Sequence, residues 1–336
     1  MPAGLSPTHT GKRPLLKGEH KTPRQHPHIH MPKHSFTRRV TAITVSRSNT
    51  SPRPWRRGQA FTQTWTGTAM CQLLAMNSSK PAALAFSFEG FAERGGRTGE
   101  HKDGWGIAFH ASDGCRLYTD HLASVDSPLA ATIRQHPVKA KNIVAHIRKA
   151  TQGRIAPENT HPFTRELWGK TWSFAHNGDL KNWRAPAGGN YAARGDTDSE
   201  QAFCHLLAGL RQRFPDGQPD RAALFAAIDT LGAHIAAHGS FNFILSDGDT
   251  LFARCSTSLH YVVRAYPFTE AKLIDCELSI DFRRHNHLDD RIAVIATEPL
   301  TSNEQWRAFA PGELKMFSGG EEVAPGAEKA WRWQIC

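Results

Sequence analysis

The chain has 336 residues with 41 Lys/Arg and 31 Asp/Glu, a formal net charge of +10. That charge sits at one end: residues 1–70 hold twelve Lys/Arg and a single acid, Glu19, whereas 71–336 hold 29 Lys/Arg against 30 Asp/Glu. No run approaches the ~18 apolar residues of a membrane span, and no stretch has the layout of a secretory signal, so membrane and disulfide-scaffold classes drop out.

Residues 1–70 read as a basic leader with eight Pro and six His and no sustained apolar periodicity. Such a segment cannot bury enough surface to offset its ordering entropy, so disorder is expected. Three origins stay open: a stretch carried by a start codon set too early, a cleaved targeting peptide, or a basic arm for nucleic acid. Basic residues scattered among Pro and His, with few aromatics for bases to stack on, speak against the arm. The body, 71–336, is long enough for one domain with a substantial core. The cysteines at 71, 115, 204, 255, 276 and 336 include no C-x-x-C pair, which fits a reduced, cytoplasmic compartment. Zinc-ligand spacing is missing, and no metal or cofactor is expected.

In chain order, residues 71–77 suit a short buried strand headed by Cys71, and 81–91 a helical stretch. A Gly-rich polar loop follows over 94–103. Residues 105–110 read as a strand, turned at Asp113-Gly114 into 115–118. Residues 142–150 and 171–175 are strand-like, the second stopped by His176-Asn177-Gly178-Asp179. A helix opens at Asp196-Thr197-Asp198-Ser199-Glu200, where Thr197 and Glu200 have capping-box spacing. Ala202, Phe203, Leu206, Leu207 and Leu210 give it an apolar stripe. A second helix is expected over 221–237, then strands over 241–245, 251–254, 261–264 and 291–297. Strands, two helices, then strands again do not alternate as βαβ units, so the class is α+β with mostly antiparallel sheets.

Four islands hold polar groups that a packed core would not request. Cys71 follows Met70, and removal of the segment before it would leave a thiol and an α-amine on one residue, a nucleophile with its own base. The amine titrates near ~7.7–8.0, close to neutral pH; the plainer reading is a buried structural thiol. In 145–153, His146, Arg148 and Ala150 share a strand face, and Arg148 can grip a carboxylate with two parallel bonds or sit in a surface ion pair. His176-Asn177-Gly178 is a turn signal first, but an Asn amide beside a Gly N–H also makes an oxyanion hole. Residues 159–163 form a loop able to wall the pocket. In 195–200 three acids exceed what capping needs, and one is free to hold an ammonium. Nucleophile, carboxylate grip, oxyanion hole and ammonium acceptor together suit an α-amino acid with a reactive side-chain carbonyl, glutamine above all.

Met70-Cys71, Asp103-Gly104-Trp105-Gly106, His146-x-Arg148-x-Ala150-Thr151, His161-Pro162-Phe163, His176-Asn177-Gly178 and 196–200 occur in an order that resembles the class II glutamine amidotransferases, and within them the stand-alone YafJ-like branch. The resemblance covers 71–336, including Cys255 to His260 and Ala296 to Leu300. It implies a four-layer αββα sandwich of the N-terminal-nucleophile hydrolase type. By its motifs Cys71 attacks the amide carbonyl, and Asn177 with the Gly178 N–H holds the oxyanion. Arg148 binds the α-carboxylate with Thr151 nearby, while Asp198, with the Gly178 carbonyl, takes the α-ammonium. Position 152, often His in relatives that synthesise sugars and purines, is Gln152 and receives no role. The expected activity is release of ammonia from glutamine through a γ-glutamyl thioester. Hydrolysis of a γ-glutamyl peptide or thiol conjugate is the alternative, and a basic nucleic-acid-binding protein is the alternative of another class. The resemblance takes up 71–336 and leaves no residues there for a synthetase region, so a separate acceptor subunit is the expected partner if the ammonia is used.

Overall fold

The computed structural model describes residues 71–150, 153–181, 183 and 190–326. The leader 1–70 and Thr151 therefore lie outside the described residues, as do Gln152 and Cys336.

Fifteen strands and four helices are built from the described residues. Strands β1 (Gln72–Ala83), β2 (Trp105–Ala111), β3 (Gly114–Asp120), β4 (Lys139–Ile147), β9 (His260–Ala265), β12 (Arg291–Ala296) and β13 (Arg307–Ala308) form one sheet in the order β13-β9-β12-β1-β4-β2-β3. A second sheet, in the order β15-β14-β8-β7-β6-β5, comprises β5 (Phe163–Leu167), β6 (Lys170–Leu180), β7 (Gly239–Ser246), β8 (Leu251–Arg254), β14 (Leu314–Ser318) and β15 (Glu321–Glu322). Every pairing in both sheets is antiparallel. A small ribbon joins β10 (Glu270–Lys272) to β11 (Ser279–Asp281). The helices are α1 (Ala85–Glu93), α2 (Pro128–Gln135), α3 (Asp198–Arg213) and α4 (Arg221–Ala236). None of the described helices is long and apolar enough to cross a membrane.

Alternation along β1 divides its side chains between two cores. Leu74 and Met76 join Phe88 and Phe91 of α1 and Ile133 of α2. Leu73 and Ala75 instead meet Ala175 of β6, Ile244 of β7 and Ala253 of β8, so this cluster draws on both sheets. A third core sets Trp172, Phe174, Phe241 and Phe243 of the second sheet against Phe203, Leu206, Leu207 and Leu210 of α3 and Leu224 and Ile228 of α4. The stripe expected on α3 is the face that packs there. Phe174 and Phe203 stack 5.0 Å apart and 3° from parallel, an anchor between sheet and helix.

Two expectations need correction, and one helix went unread. β1 runs on to Ala83, so the helical stretch begins at Ala85 rather than 81. Helix α2 falls in a segment with no long apolar period; Ser127 caps it by accepting a bond from Ala130 N, with Pro128 at its first position. The second correction concerns His176-Asn177-Gly178, which does not stop a strand. β6 continues to Leu180, with Asn177 opposite Asn242 and Gly178 opposite Phe241. Glycine is required at 178 because a Cβ would lie 1.9 Å from the Ser240 carbonyl oxygen, with no turn involved.

Candidate active site

Cys71 sits immediately before β1, half-buried, where β1 lies beside β4 with Gln72 opposite Ile147. Its Sγ accepts a bond from the Lys149 N–H at 3.2 Å. Burial pushes the thiol pKa up, and the Lys149 N–H and the nearby Arg148 charge only partly oppose that. Without a base, Cys71 is therefore a protonated, weakly nucleophilic thiol at neutral pH.

Arg148 follows the end of β4 and is 3% exposed. Its backbone is locked on both sides, the N–H donating to Gly104 O at 2.8 Å and the carbonyl accepting from Asp103 N at 3.2 Å. Asp103 also accepts from Ala150 N at 2.7 Å. The Asp103-Gly104 segment thus serves as a strap under the Arg148 region, a role its sequence position did not suggest. The guanidinium donates to Arg154 O at 2.9 Å and Gly153 O at 3.1 Å, tying the following loop to the strand end.

Asn177 projects toward Cys71. Its Nδ2 donates to the carbonyl oxygen of Cys71 and, at 3.5 Å, to Thr297 Oγ1. Thr297 Oγ1 also accepts from Leu73 N at 2.8 Å, and Asn242 Nδ2 donates to Asn177 O at 2.9 Å. Asn177 Oδ1 is buried and has no partner among the described residues.

The three acids of 196–200 go to three different places. Asp196 leaves the cleft: its Oδ1 accepts from Asn159 Nδ2 at 2.5 Å and its N–H donates to Asn159 Oδ1 at 3.0 Å. Glu200 pins a loop, accepting from Arg165 at 2.5 Å, Arg194 N at 2.9 Å and Gly195 N at 2.7 Å. Thr197 does cap α3, accepting from Glu200 N at 3.2 Å, while the Glu200 side chain is spent on that loop. Asp198 alone lines the cleft, its carboxylate oriented by Leu180 N at 2.9 Å and Ser199 N at 2.7 Å.

Cys71, Arg148, Gly178 and Asp198 therefore border a single cleft of about 320 Å³, its open mouth included, and Asn177 stands directly against Cys71. Thr151 lies outside the described residues. The cleft also contains three histidines, 146, 161 and 176, to which the sequence reading gave no chemistry. His176 Nε2 donates to Ser240 O at 3.1 Å, leaving Nδ1 to accept from Ser199 Oγ at 2.8 Å. Burial lowers all three pKa values, that of His146 to about 3, so the rings are neutral. The only prior signal for them was their place beside the motif residues. Among the described residues no group of three His, Cys, Asp or Glu side chains is placed to hold a metal ion, and all five cysteines are free.

The family model for class-II glutamine amidotransferases matches residues 70–336. YafJ of Escherichia coli, a candidate glutamine amidotransferase, is 47% identical over 254 residues, 76% of this chain and 100% of that protein. A candidate glutamine amidotransferase of Haemophilus influenzae is 46% identical over 255 residues, 76% of this chain and 86% of its own length. Among solved structures, a predicted glutamine amidotransferase from Pseudomonas aeruginosa is 41% identical with a TM-score of 0.59, covering 76% of this chain and 100% of that one. With its motifs gathered around one cleft and these matches along the same span, the chain belongs to the class II glutamine amidotransferases.

Proposed function

We propose that the protein hydrolyses the side-chain amide of glutamine through a γ-glutamyl thioester on Cys71 and releases ammonia. The observation that carries this reading is the convergence of Cys71, Arg148, Gly178 and Asp198 on one cleft, with Asn177 bonded to the nucleophile's own carbonyl. On this reading the three cores are the interfaces of a four-layer αββα sandwich of the N-terminal-nucleophile hydrolase type. Arg148 grips the α-carboxylate with Thr151 beside it, and Asp198 takes the α-ammonium. Sγ attacks the amide carbon, and Asn177 Nδ2 turns one N–H from the Cys71 carbonyl to the oxyanion, with the Gly178 N–H as second donor.

The raised thiol pKa makes a base necessary. The reading supplies one by chain processing between Met70 and Cys71, which frees an α-amine titrating near ~7.7–8.0. That amine takes the thiol proton and returns it to the departing nitrogen. Asn177 Oδ1, buried and unpartnered beside Cys71, is an acceptor suited to such an amine. The test is glutaminase activity of a chain begun at Met70 against one begun at Met1 and left uncleaved, with both N-termini read by mass spectrometry. Ammonia release should follow only when Cys71 is terminal; equal activity from the intact 336-residue chain overturns the reading. A γ-glutamyl dipeptide turned over in preference to glutamine would keep the mechanism and move the substrate to γ-glutamyl compounds.

A further inference from the structure

Asp198 can take an ammonium only while its carboxylate oxygens are not spent on donors of the protein itself. Two backbone N–H groups hold it: that of Leu180 donates to Oδ2 at 2.9 Å and that of Ser199 to Oδ1 at 2.7 Å. A third donor stands within reach, since Ser199 Oγ lies 3.2 Å from Asp198 Oδ1. The same Oγ lies 2.8 Å from His176 Nδ1. A hydroxyl has one hydrogen, so Ser199 can donate to the ring or to the carboxylate, not fully to both. The far side of the ring decides between them. His176 Nε2 is 3.1 Å from the Ser240 carbonyl oxygen, which can only accept, so Nε2 carries the hydrogen. Burial holds the ring neutral against the nearby charges of Asp198 and Asp179. A neutral ring protonated at Nε2 has a bare lone pair at Nδ1, and the shorter of the two Ser199 contacts goes to it. The ring is fixed in place. It is 2% exposed, its centroid is 4.9 Å from that of Phe241, and Gly178 leaves it room, since a Cβ there would lie 2.7 Å from Nε2.

We infer that His176 is a positioning residue for the ammonium site: by accepting the Ser199 hydroxyl hydrogen it keeps that hydroxyl off Asp198, and so sets the protein's selectivity for ligands with an α-amine. The inference rests on the proposed role of Asp198. A carboxylate has about four lone-pair sites, and backbone N–H groups fill one on each oxygen of Asp198. The hydroxyl on Oδ1 would fill a third and draw charge from the oxygen that an ammonium needs. Turned to His176, it leaves one free site on each oxygen. His176, Asp198 and Ser199 all border the cleft. The bonds from Ser240 through His176 to Ser199 run from the strand pair β6–β7 to the start of α3, so the sheet sets the state of a side chain on the helix. In this role the ring acts through Ser199 and makes no contact with the reacting atoms. A ring that merely packed beside Gly178 would act on the oxyanion donors, and hence on kcat; a ring that governs Asp198 acts on the affinity for the α-amine.

The test uses the mature protein with glutamine and with its analogue lacking the α-amine. His176→Gln sets an amide near the position of Nε2, where it can keep the Ser240 bond, and nothing at Nδ1, so the Ser199 hydroxyl turns to Asp198. KM for glutamine should rise about threefold to tenfold, the size of one hydrogen bond, with kcat and the analogue's KM little changed. His176→Asn sets an acceptor near Nδ1 and should recover most of that loss. Adding Ser199→Ala to His176→Gln removes the displaced hydroxyl and should recover most of it too. Equal KM rises for both ligands, a fall in kcat alone, or no recovery with Ser199→Ala overturns the positioning role. If these variants do not fold, nitrogen NMR of the unaltered protein with labelled histidine decides alone: the His176 ring should be neutral with its hydrogen on Nε2, and a hydrogen on Nδ1 overturns the inference. Asp198→Asn tells this inference from the reading beneath it. If it weakens glutamine and the analogue equally, the ammonium site and the positioning role fall together. If it weakens glutamine selectively and His176→Gln does not, the inference alone is sunk. Absence of any turnover of glutamine or γ-glutamyl compounds sinks the proposed function and the inference with it.

Discussion

The cleft has two walls made in different ways. Cys71, His146, Arg148 and Gly178 stand on or beside β1, β4 and β6, and what positions them is main-chain pairing: Gln72 with Ile147, Leu73 with His146, Gly178 with Phe241. Thr197, Asp198 and Ser199 open α3, and the segments that lead to them are held by side chains, Glu200 on Arg194 and Gly195 and Asn159 on Asp196. A ladder spreads a load over many bonds, so one substitution rarely moves it. A loop held by one carboxylate and one amide is released by one substitution. The proposed bond-making groups stand on the first wall and the ammonium acceptor on the second. Changes to the bond-making groups of the strand wall, Cys71, Asn177 and Gly178, should therefore act on kcat with little effect on binding, and changes to the helix wall the reverse.

The largest expected effect is on the strand wall. Asn177→Ala should keep its secondary structure by circular dichroism yet lose roughly 10²–10³ in kcat with KM little changed, as when other oxyanion donors are removed. A kcat within about threefold of the unaltered protein would reduce Asn177 to a bridge between the two sheets.

Acid should act first through the buried histidines. His146 is pushed to about 3 by burial, His161 lies well below its ordinary range, and His110 on β2 is lowered to about 4, again by burial. These rings take protons more readily when unfolded, near ~6.5, so the stability they permit is complete above that pH and is lost as pH falls toward their folded values. At pH 5 each ring that stays neutral in the fold costs about 2 kcal/mol relative to neutral pH. Asp247 and Glu304, lowered against burial by the Thr250 N–H and the Arg264 guanidinium, add acid lability only below their unfolded values of 3.8 and 4.5. Urea unfolding at pH 7.5 and 5 should show the loss, and His110→Gln should shrink it. A pH-independent midpoint across that window would mean these rings are protonated in the fold.

How much of this was legible beforehand differs between the walls too. Helix α3 could be read because its cap and apolar stripe are local, and Thr197 and Phe203 do what their spacing says. The acids could not be sorted, since Asp196, Asp198 and Glu200 all fit a helix start; only the positions of Asn159, Leu180 and Arg165 decide among them. Asn177-Gly178 was misread as a turn because a missing Cβ serves a tight turn and a close strand crossing alike, and the Ser240 carbonyl that demands it is 62 residues away in sequence. The tilted contact of His146 with His161 is a tertiary fact with no local signal. Helix α2 went unread, since its eight residues give too short a period to register.

Arg148 belongs to both walls, since it stands at a strand end and holds the loop carbonyls of Gly153 and Arg154. Arg148→Lys keeps the charge and loses the planar fork, so KM should rise about tenfold or more while kcat moves less. Added guanidinium should restore part of the affinity. A fall in kcat alone would assign Arg148 to the chemistry rather than to the ligand's carboxylate.

Asn159→Ala is the smallest and most selective change, and it isolates the helix wall. The Asn159 amide accepts from Asp196 N and donates to Asp196 Oδ1 and Arg154 O, so it joins the loop after Arg148 to the loop before α3. It is fully buried, and Gly195 is pressed so close that a Cβ there would lie 2.1 Å from its Oδ1. Removing it deletes the bonds to Asp196 and Arg154, a stability cost of about 1–3 kcal/mol. Nothing in it touches Cys71 or Asn177. Glutamine KM should therefore rise by about threefold to tenfold, the size of one weakened contact, with kcat preserved. An analogue lacking the α-amine, which does not use Asp198, should be hardly affected. If glutamine and that analogue lose equally, the loop supports the whole cleft and the two walls are not separable.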